Sequence, residues 1–397
     1  MATMAQHETQ LRLQRRKMAL CFWNAPLRVT LFATAVAGCC LPLEAHASED
    51  QSPSSPPRLI WRQPLAGEAR LPLVISPDEH YAVALTDKEL ALLETQTGKL
   101  LWQQNFTTIN RWMRKVEAVA VAPDARWLAI AGSTDYRYVW ALDKQGRRKW
   151  HVPLKSTPQA LAISNCGDRL AIGTAGGTIS IVNDQGKLLQ HVNFDNAIIE
   201  GLRFSEDDKK LITTRGWFQL GVLNSAGEVL WKRTGCILSL SASRDYQHFA
   251  VVDEINHSSD ETLSLYSFNG KTVWTKKLSG SRAFILGDGS RTLVSGWSPQ
   301  ATDREHTEDD KPLFLLNQNG QKIVETKGDL EAVSKDERCF LARGRDGLTC
   351  RDATMKRIWR IGWNQERDET SCPSVYCTRD FSLVLLRHDG RVVAYRR

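Results

Sequence analysis

A unit of apolar strand, glycine turn and tryptophan returns at intervals near 40 residues along this 397-residue chain. Its clearest copy is Glu89–Phe106, ELALLETQTGKLLWQQNF, where Trp102 follows Gly98 by four positions. Gly146 leads to Trp150, Gly227 to Trp231 and Gly270 to Trp274 in the same way. Gly186 leads instead to Gln190, Gly320 leads to Val324, and Met355 stands where a glycine would precede Trp359. Counted from Trp61, successive copies are 41, 48, 40, 41, 43, 50 and 35 residues apart. One such unit cannot bury both faces of its sheet alone, so the units must stack on one another. A period of this length with strand–turn–strand content predicts an all-β propeller of four-stranded antiparallel blades.

Each repeat divides into four short strands, A to D. In the first, A lies near 71–75, B at 81–85, C at 90–94 and D at 100–105. Ser76-Pro77-Asp78 makes the A–B turn, with proline presetting φ for a tight reversal, and Ala122-Pro123-Asp124 repeats it. Gly176-Gly177, Asp346-Gly347 and Asp389-Gly390 predict tight B–C hairpins. The tail supplies A, B and C strands of a last repeat and then stops. Arg58–Leu65, RLIWRQPL, is an unattached D strand with Trp61 at the repeat position. Pairing the two closes the ring at eight blades and removes the free edges of an open array. The propeller therefore spans 58–397 and is read as a monomer.

The segment before it reads as export machinery. Arg12, Arg15, Arg16, Lys17 and Arg28 precede an apolar run over 29–43, too short for a spanning helix and suited to a signal peptide. Two processing sites stand open. Ala45-His46-Ala47 fits cleavage before Ser48, giving a signal over 1–47; Val36-Ala37-Gly38-Cys39 is similar to a lipobox, which would lipidate Cys39. The n-region is long enough that Met18 competes with Met1 as the start. Residues 48–57 are a Ser/Pro-rich linker. The reading is a periplasmic or secreted protein, with a lipid anchor at Cys39 as its one route to a membrane.

The net charge is +7, and the first 47 residues hold five of the cations and two of the anions, leaving +4. With no basic run after Lys17, nucleic acid is not an expected partner. Six cysteines follow the leader: Cys166, Cys236, Cys339, Cys350, Cys372 and Cys377. Export permits disulfides, the sequence leaves their pairing open, and a bridge, if formed, would staple the end of the chain. No Cys-x-x-Cys pair is present, so neither zinc nor a thioredoxin-like motif is indicated.

The Glu94–Trp102 unit, with its relatives at Asp143–Trp150 and Asn224–Trp231, resembles the repeats of pyrroloquinoline-quinone-type propellers, and the Ser-Pro-Asp turns resemble those of WD-repeat proteins. The resemblance implies that Trp61, Trp102, Trp150, Trp231, Trp274 and Trp359 dock between blades. One branch of that superfamily is quinone-dependent dehydrogenases, which use a vicinal Cys-Cys pair and calcium. Here the sole adjacent pair, Cys39-Cys40, falls in the leader. The other branch is non-catalytic and includes the eight-bladed propeller lipoproteins of the outer-membrane β-barrel assembly machine. Length, leader and blade number resemble the second branch, which implies no cofactor and a protein partner in the cell envelope. A dehydrogenase or small-ligand sensor using the axial funnel is the alternative.

The A–B and C–D turns are short, whereas the longer connections are of the D–A and B–C kinds. Both long kinds emerge on one face, and loops on a rigid scaffold are where binding groups concentrate. Arg111, Trp112, Arg114, Trp217, Trp297 and Trp363 fall in or beside these loops and are the candidate contact residues, since exposed Trp and Arg anchor interfaces. Two acidic groups, Asp303–Asp310 and Asp253–Glu261, lack the spacing of a calcium loop and read as solvated. No Gly-x-Ser-x-Gly elbow, His-Glu-x-x-His helix or phosphate-cradling loop occurs, so no catalytic residue and no metal ligand is assigned.

Overall fold

The computed structural model describes residues 57–65, 73–113, 115–133, 137–194, 198–205, 207–215, 219–225, 227–243, 247–254, 261–297, 311–334, 337–344, 347–362, 374–378, 382–388 and 391–396. The leader, Cys39 and the linker up to residue 56 lie outside them. The strands form eight antiparallel four-stranded blades in a ring. Blades 1 to 4 occupy 74–105, 115–153, 158–193 and 199–234. Blades 5 to 7 occupy 236–278, 279–327 and 329–362, and blade 8 takes 374–396 together with Arg58–Pro64. Blades 5 and 6 share one strand, Thr272–Leu286, which serves as D in one and A in the next.

The burial pattern explains why the sequence shows so little alternation. The B strand Tyr81–Leu85 and the C strand Glu89–Glu94 are buried on both faces, because a blade is covered by a neighbour on each side. The D strands lie outermost and alternate, with every second residue turned to solvent, as in Leu188–Asn193 and Val229–Thr234. Eight hydrophobic clusters result, one in each gap between blades. The cluster between blades 8 and 1 joins Leu383, Leu385 and Val392 from the end of the chain to Ala84 and Leu93 from its start.

That closure is a strand pairing. Arg58–Pro64 runs antiparallel to Arg391–Arg396, with Leu59 opposite Tyr395 and Trp61 opposite Ala394. The register shifts between Leu59 and Trp61. Each of the other seven C–D pairs shifts at the equivalent point, for example between Leu92 and Leu93 opposite Leu100 and Trp102. A bulge here increases local twist, and its return in blade 8 makes Arg58–Pro64 a true eighth D strand. Arg396 adds a hydrogen bond from Nη2 to Gln96 Oε1 of blade 1, 2.6 Å.

The repeat residues form one joint in three successive gaps, from blade 8 to blade 3, whereas the buried indole nitrogens of Trp274 and Trp359 have no hydrogen-bond partner among the described residues. Trp61 donates its indole N–H to Thr95 O (3.1 Å), Trp102 to Lys144 O (2.8 Å) and Trp150 to Asp184 O (2.7 Å). Each acceptor lies in the C–D turn of the next blade, and each ring lies on that turn's glycine. Gln190, where the aromatic is missing, sends its amide Nε2 to Ser225 O at 2.6 Å, so the hydrogen bond survives without the ring. Val324 makes no such bond, and the turn it meets carries Met355 at φ +69° in place of glycine. The tryptophan and the following glycine are thus lost together.

No disulfide joins Cys166, Cys339, Cys350 and Cys377 to one another. Three of them gather in the cluster between blades 7 and 8, so the cysteine-rich tail contributes apolar packing there. Cys372 and the side chain of Cys236 lie outside the described residues.

Candidate binding face

The D–A connection from blade 1 to blade 2 is a built structure. Phe106–Ile109 is a helical turn. Asn105 caps it, its Oδ1 accepting from Thr107 N at 3.0 Å and from Thr107 Oγ1 at 2.8 Å. Phe106, Ile109 and Met113 are buried as pegs in the cluster between blades 1 and 2. Asn110 then turns the chain, with Oδ1 accepting the Trp112 N–H at 2.8 Å and the carbonyl accepting from Met113 N at 2.8 Å.

This arrangement leaves Arg111 and Trp112 on the outside. Trp112 is 47% exposed. The Arg111 guanidinium carbon stands 4.7 Å from the centre of its ring, within cation–π range. A large apolar ring beside a planar cation is held here by a capped turn with three buried pegs, so it has little conformational freedom left to lose. Of the other sequence candidates, Trp297 ends a B strand of blade 6, its backbone opposite Ser279. Its side chain, and Arg114, Trp217 and Trp363 entirely, lie outside the described residues.

Two charged sets stand out, and the first was not singled out by the sequence. On the innermost strands of blades 6 and 7, Asp329 and Glu331 are buried between Arg282 and Arg343. Arg343 Nε is 2.9 Å from Glu331 Oε1, and its Nη2 is 3.4 Å from Asp329 Oδ2. Ser295 Oγ donates to Asp329 Oδ1 at 3.0 Å. Burial pushes the Glu331 carboxyl up, against the pull of Arg343 and Arg282. Burial also acts on Asp329, but Arg282, Lys311, Arg343 and the Ser295 hydroxyl hold it below the ordinary carboxylate value. The set is two acids against two arginines, with Lys311 and Ser295 beside it, at the joint between blades 6 and 7. The one sequence signal was a pair of acids at alternate positions in an A strand.

The second set corrects a reading. Asp253 and Glu261, expected in a solvated acidic loop, belong to the strands His248–Glu254 and Glu261–Ser267. Asp253 is buried and paired with Arg233 of blade 4, whose guanidinium lies 4.4 Å from the Tyr266 ring centre. Asp303–Asp310 lies outside the described residues. On the opposite, turn-bearing face, Asp78, His80 and Asp124 bring three donor atoms within 4.8 Å of one another. His80 Nδ1 is 3.0 Å from Asp78 Oδ2, and three donors fall short of the six to eight oxygens calcium takes.

With eight blades, the shared joint and the sealed ends on view, the comparisons fall into place. A PQQ_2 family model, described as outer membrane protein assembly factor BamB, matches residues 55–197. The crystal structure of BamB from Moraxella catarrhalis superposes with a TM-score of 0.57 at 14% identity, covering 86% of this chain and 100% of that one. The chain is an eight-bladed propeller similar to BamB, with PQQ-type repeats matched over residues 55–197. Hydrazine synthase from Kuenenia stuttgartiensis is also similar, at 13% identity over 72% of this chain and 96% of that one, with a TM-score of 0.49. No curated protein sequence matches. At these identities the likeness to solved structures establishes architecture, and function has to be argued from the site.

Proposed function

We propose that this chain is a non-catalytic scaffold of the cell envelope that binds another envelope protein through the face bearing its D–A and B–C loops. The observation that carries the proposal is the Arg111–Trp112 pair: exposed, mutually packed, and fixed by Asn105, Asn110 and three buried apolar pegs. Such pairs supply most of the binding energy at protein interfaces. The match to a BamB model and the leader read in the sequence support the cellular setting.

The test is capture from envelope extracts by the wild-type chain and by Trp112→Ala and Arg111→Ala. A binding anchor loses its partner on either change, Trp112→Ala weakening binding by about 2 kcal/mol or more, while the melting temperature stays constant because the side chain is exposed. An unchanged captured set with both variants overturns the choice of face. N-terminal mass spectrometry of the exported form distinguishes lipidated Cys39 from cleavage after Ala47.

A further inference from the structure

The A–B turns of successive blades meet on the turn-bearing face, and at two seams the contact runs from donor to acceptor. From blade 2 to blade 3, Trp127 Nε1 donates to Gly167 O at 3.0 Å, and the Arg126 guanidinium donates to Cys166 O. From blade 3 to blade 4, Asn165 Nδ2 donates to Ser205 O at 2.8 Å and Asn165 N to Asp208 Oδ1 at 2.7 Å. Arg169 Nη2 adds a bond to Asp208 O at 2.9 Å. The seam from blade 1 to blade 2 is different. Asp78 there faces Asp124, acid against acid, with His80 beside them. His80 is the third residue after Pro77, the place that Arg126 holds after Pro123. An imidazole therefore stands where the next seam uses a guanidinium.

No lysine or arginine among the described residues pairs with either acid; the one charged group in contact is His80, its Nδ1 3.0 Å from Asp78 Oδ2. Cations close by in the chain are engaged elsewhere, Lys144 Nζ with the Tyr81 hydroxyl at 2.6 Å and Arg126 with blade 3. Both carboxylate oxygens of Asp78 are closed to solvent and accept no hydrogen bond of regular geometry. The groups beside them are the Ser76 hydroxyl, whose proton goes to Tyr81 O at 3.2 Å, and the backbone and carboxyl of Asp124. A carboxylate withdrawn from water beside a second carboxylate is costly unless a cation joins the pair.

We propose that Asp78, His80 and Asp124 form a binding site for a divalent first-row metal ion of the zinc class, which clasps the A–B turns of blades 1 and 2. One imidazole nitrogen and two carboxylate oxygens, with water in the fourth position, are a donor set that zinc takes. Calcium and magnesium favour oxygen donors and more of them. Metal–ligand bonds of about 2.0–2.1 Å place the donors of a tetrahedral centre roughly 3.3–3.4 Å apart. Asp78 and His80 are already near that separation, and all three donor atoms lie within 4.8 Å of one another. Asp124 and His80 are exposed, so their side chains can rotate inward and an ion can enter from solvent. The ion would brace the gap whose cluster also seats Phe106, Ile109 and Met113. Metal binding there is independent of what Trp112 binds.

The test is calorimetric titration of the full chain with Zn2+, paired with Co2+ absorbance, which reports a four-coordinate centre. The wild type is expected to take up Zn2+ with a rise in melting temperature. His80→Ala and Asp124→Asn are each expected to weaken this uptake about tenfold or more, and to lose both the rise and the Co2+ band. Their metal-free melting temperatures should match the wild type, because both side chains are exposed. His191→Ala removes an exposed imidazole from blade 3 and is expected to change none of these readings. Zn2+ uptake that is absent, or that survives both His80→Ala and Asp124→Asn, overturns the proposal. So does uptake of Ca2+ in preference to Zn2+. A stabilising effect of His80 that is confined to acid and indifferent to Zn2+ also overturns it, since an imidazolium then supplies the charge.

Discussion

Trp61 lies flat against Gly98 across the seam where the ring closes: a Cβ built on the glycine would come 2.7 Å from the indole Cε3. Gly98 also holds φ at +70°. The same contact recurs between Trp102 and Gly146, Trp150 and Gly186, and Trp274 and Gly320, at 2.9–3.1 Å from ring carbon Cδ2 or, for Trp274, 3.0 Å. The repeat motif is thus half of a contact whose other half belongs to the next repeat.

Gly98→Ala is expected to cost about 2–4 kcal/mol, from left-handed backbone strain and from forcing the indole out of place. Gly344 is the control: its nearest atom to a built Cβ is Gly347 O at 4.0 Å, so Gly344→Ala should stay within about 0.5 kcal/mol. Urea unfolding of both variants measures the difference. Equal costs would show that the indole can yield.

Val324 and Met355 should behave as a coupled pair. Val324→Trp alone drives a ring into Met355, and Met355→Gly alone removes buried apolar surface from the cluster between blades 6 and 7. Together they rebuild the ring-on-glycine packing found at Trp274 and Gly320. A double-mutant cycle is expected to give a favourable coupling of about 1–3 kcal/mol. Additive effects would mean that the paired loss in this repeat is coincidental.

The buried network predicts opposite pH dependences for its two acids. Glu331 is raised above 4.5, so its contribution is fully present below that value and is lost as pH climbs through the folded value. Glu331→Gln should therefore gain on the wild type with rising pH. Asp329 is held below 3.8, so its contribution is present above that value and is lost as pH falls through the folded value. Asp329→Asn should cost about 3 kcal/mol near neutrality, because it strips compensation from buried Arg282 and Arg343, and less in acid. Chemical denaturation between about pH 3 and pH 8 distinguishes the two slopes; parallel curves would show that the acids do not respond separately.

Asn105→Ala tests whether the exposed pair depends on its cap. Loss of the hydrogen bonds to Thr107 should cost about 1 kcal/mol and speed amide exchange over 107–113. Capture of a partner should weaken, though less than with Trp112→Ala, since Asn105 acts by holding the anchor and not by touching the partner.

The sequence by itself determined the number of blades, their strand order and the sealing of the ring by its two ends. Those features rest on a local pattern repeated many times: turn residues, apolar runs and a Gly-to-Trp spacing, all legible within one unit. The loop-bearing face followed from the same count, and Arg111 and Trp112 were visible as residue types. What only the tertiary structure decided lies between units. That Gln190 keeps the indole's hydrogen bond, that Met355 answers Val324, and that Asp253 is buried against Arg233 depend on contacts between blades some 20–35 residues apart in the chain. A linear repeat carries no direct record of which neighbour its side chains meet.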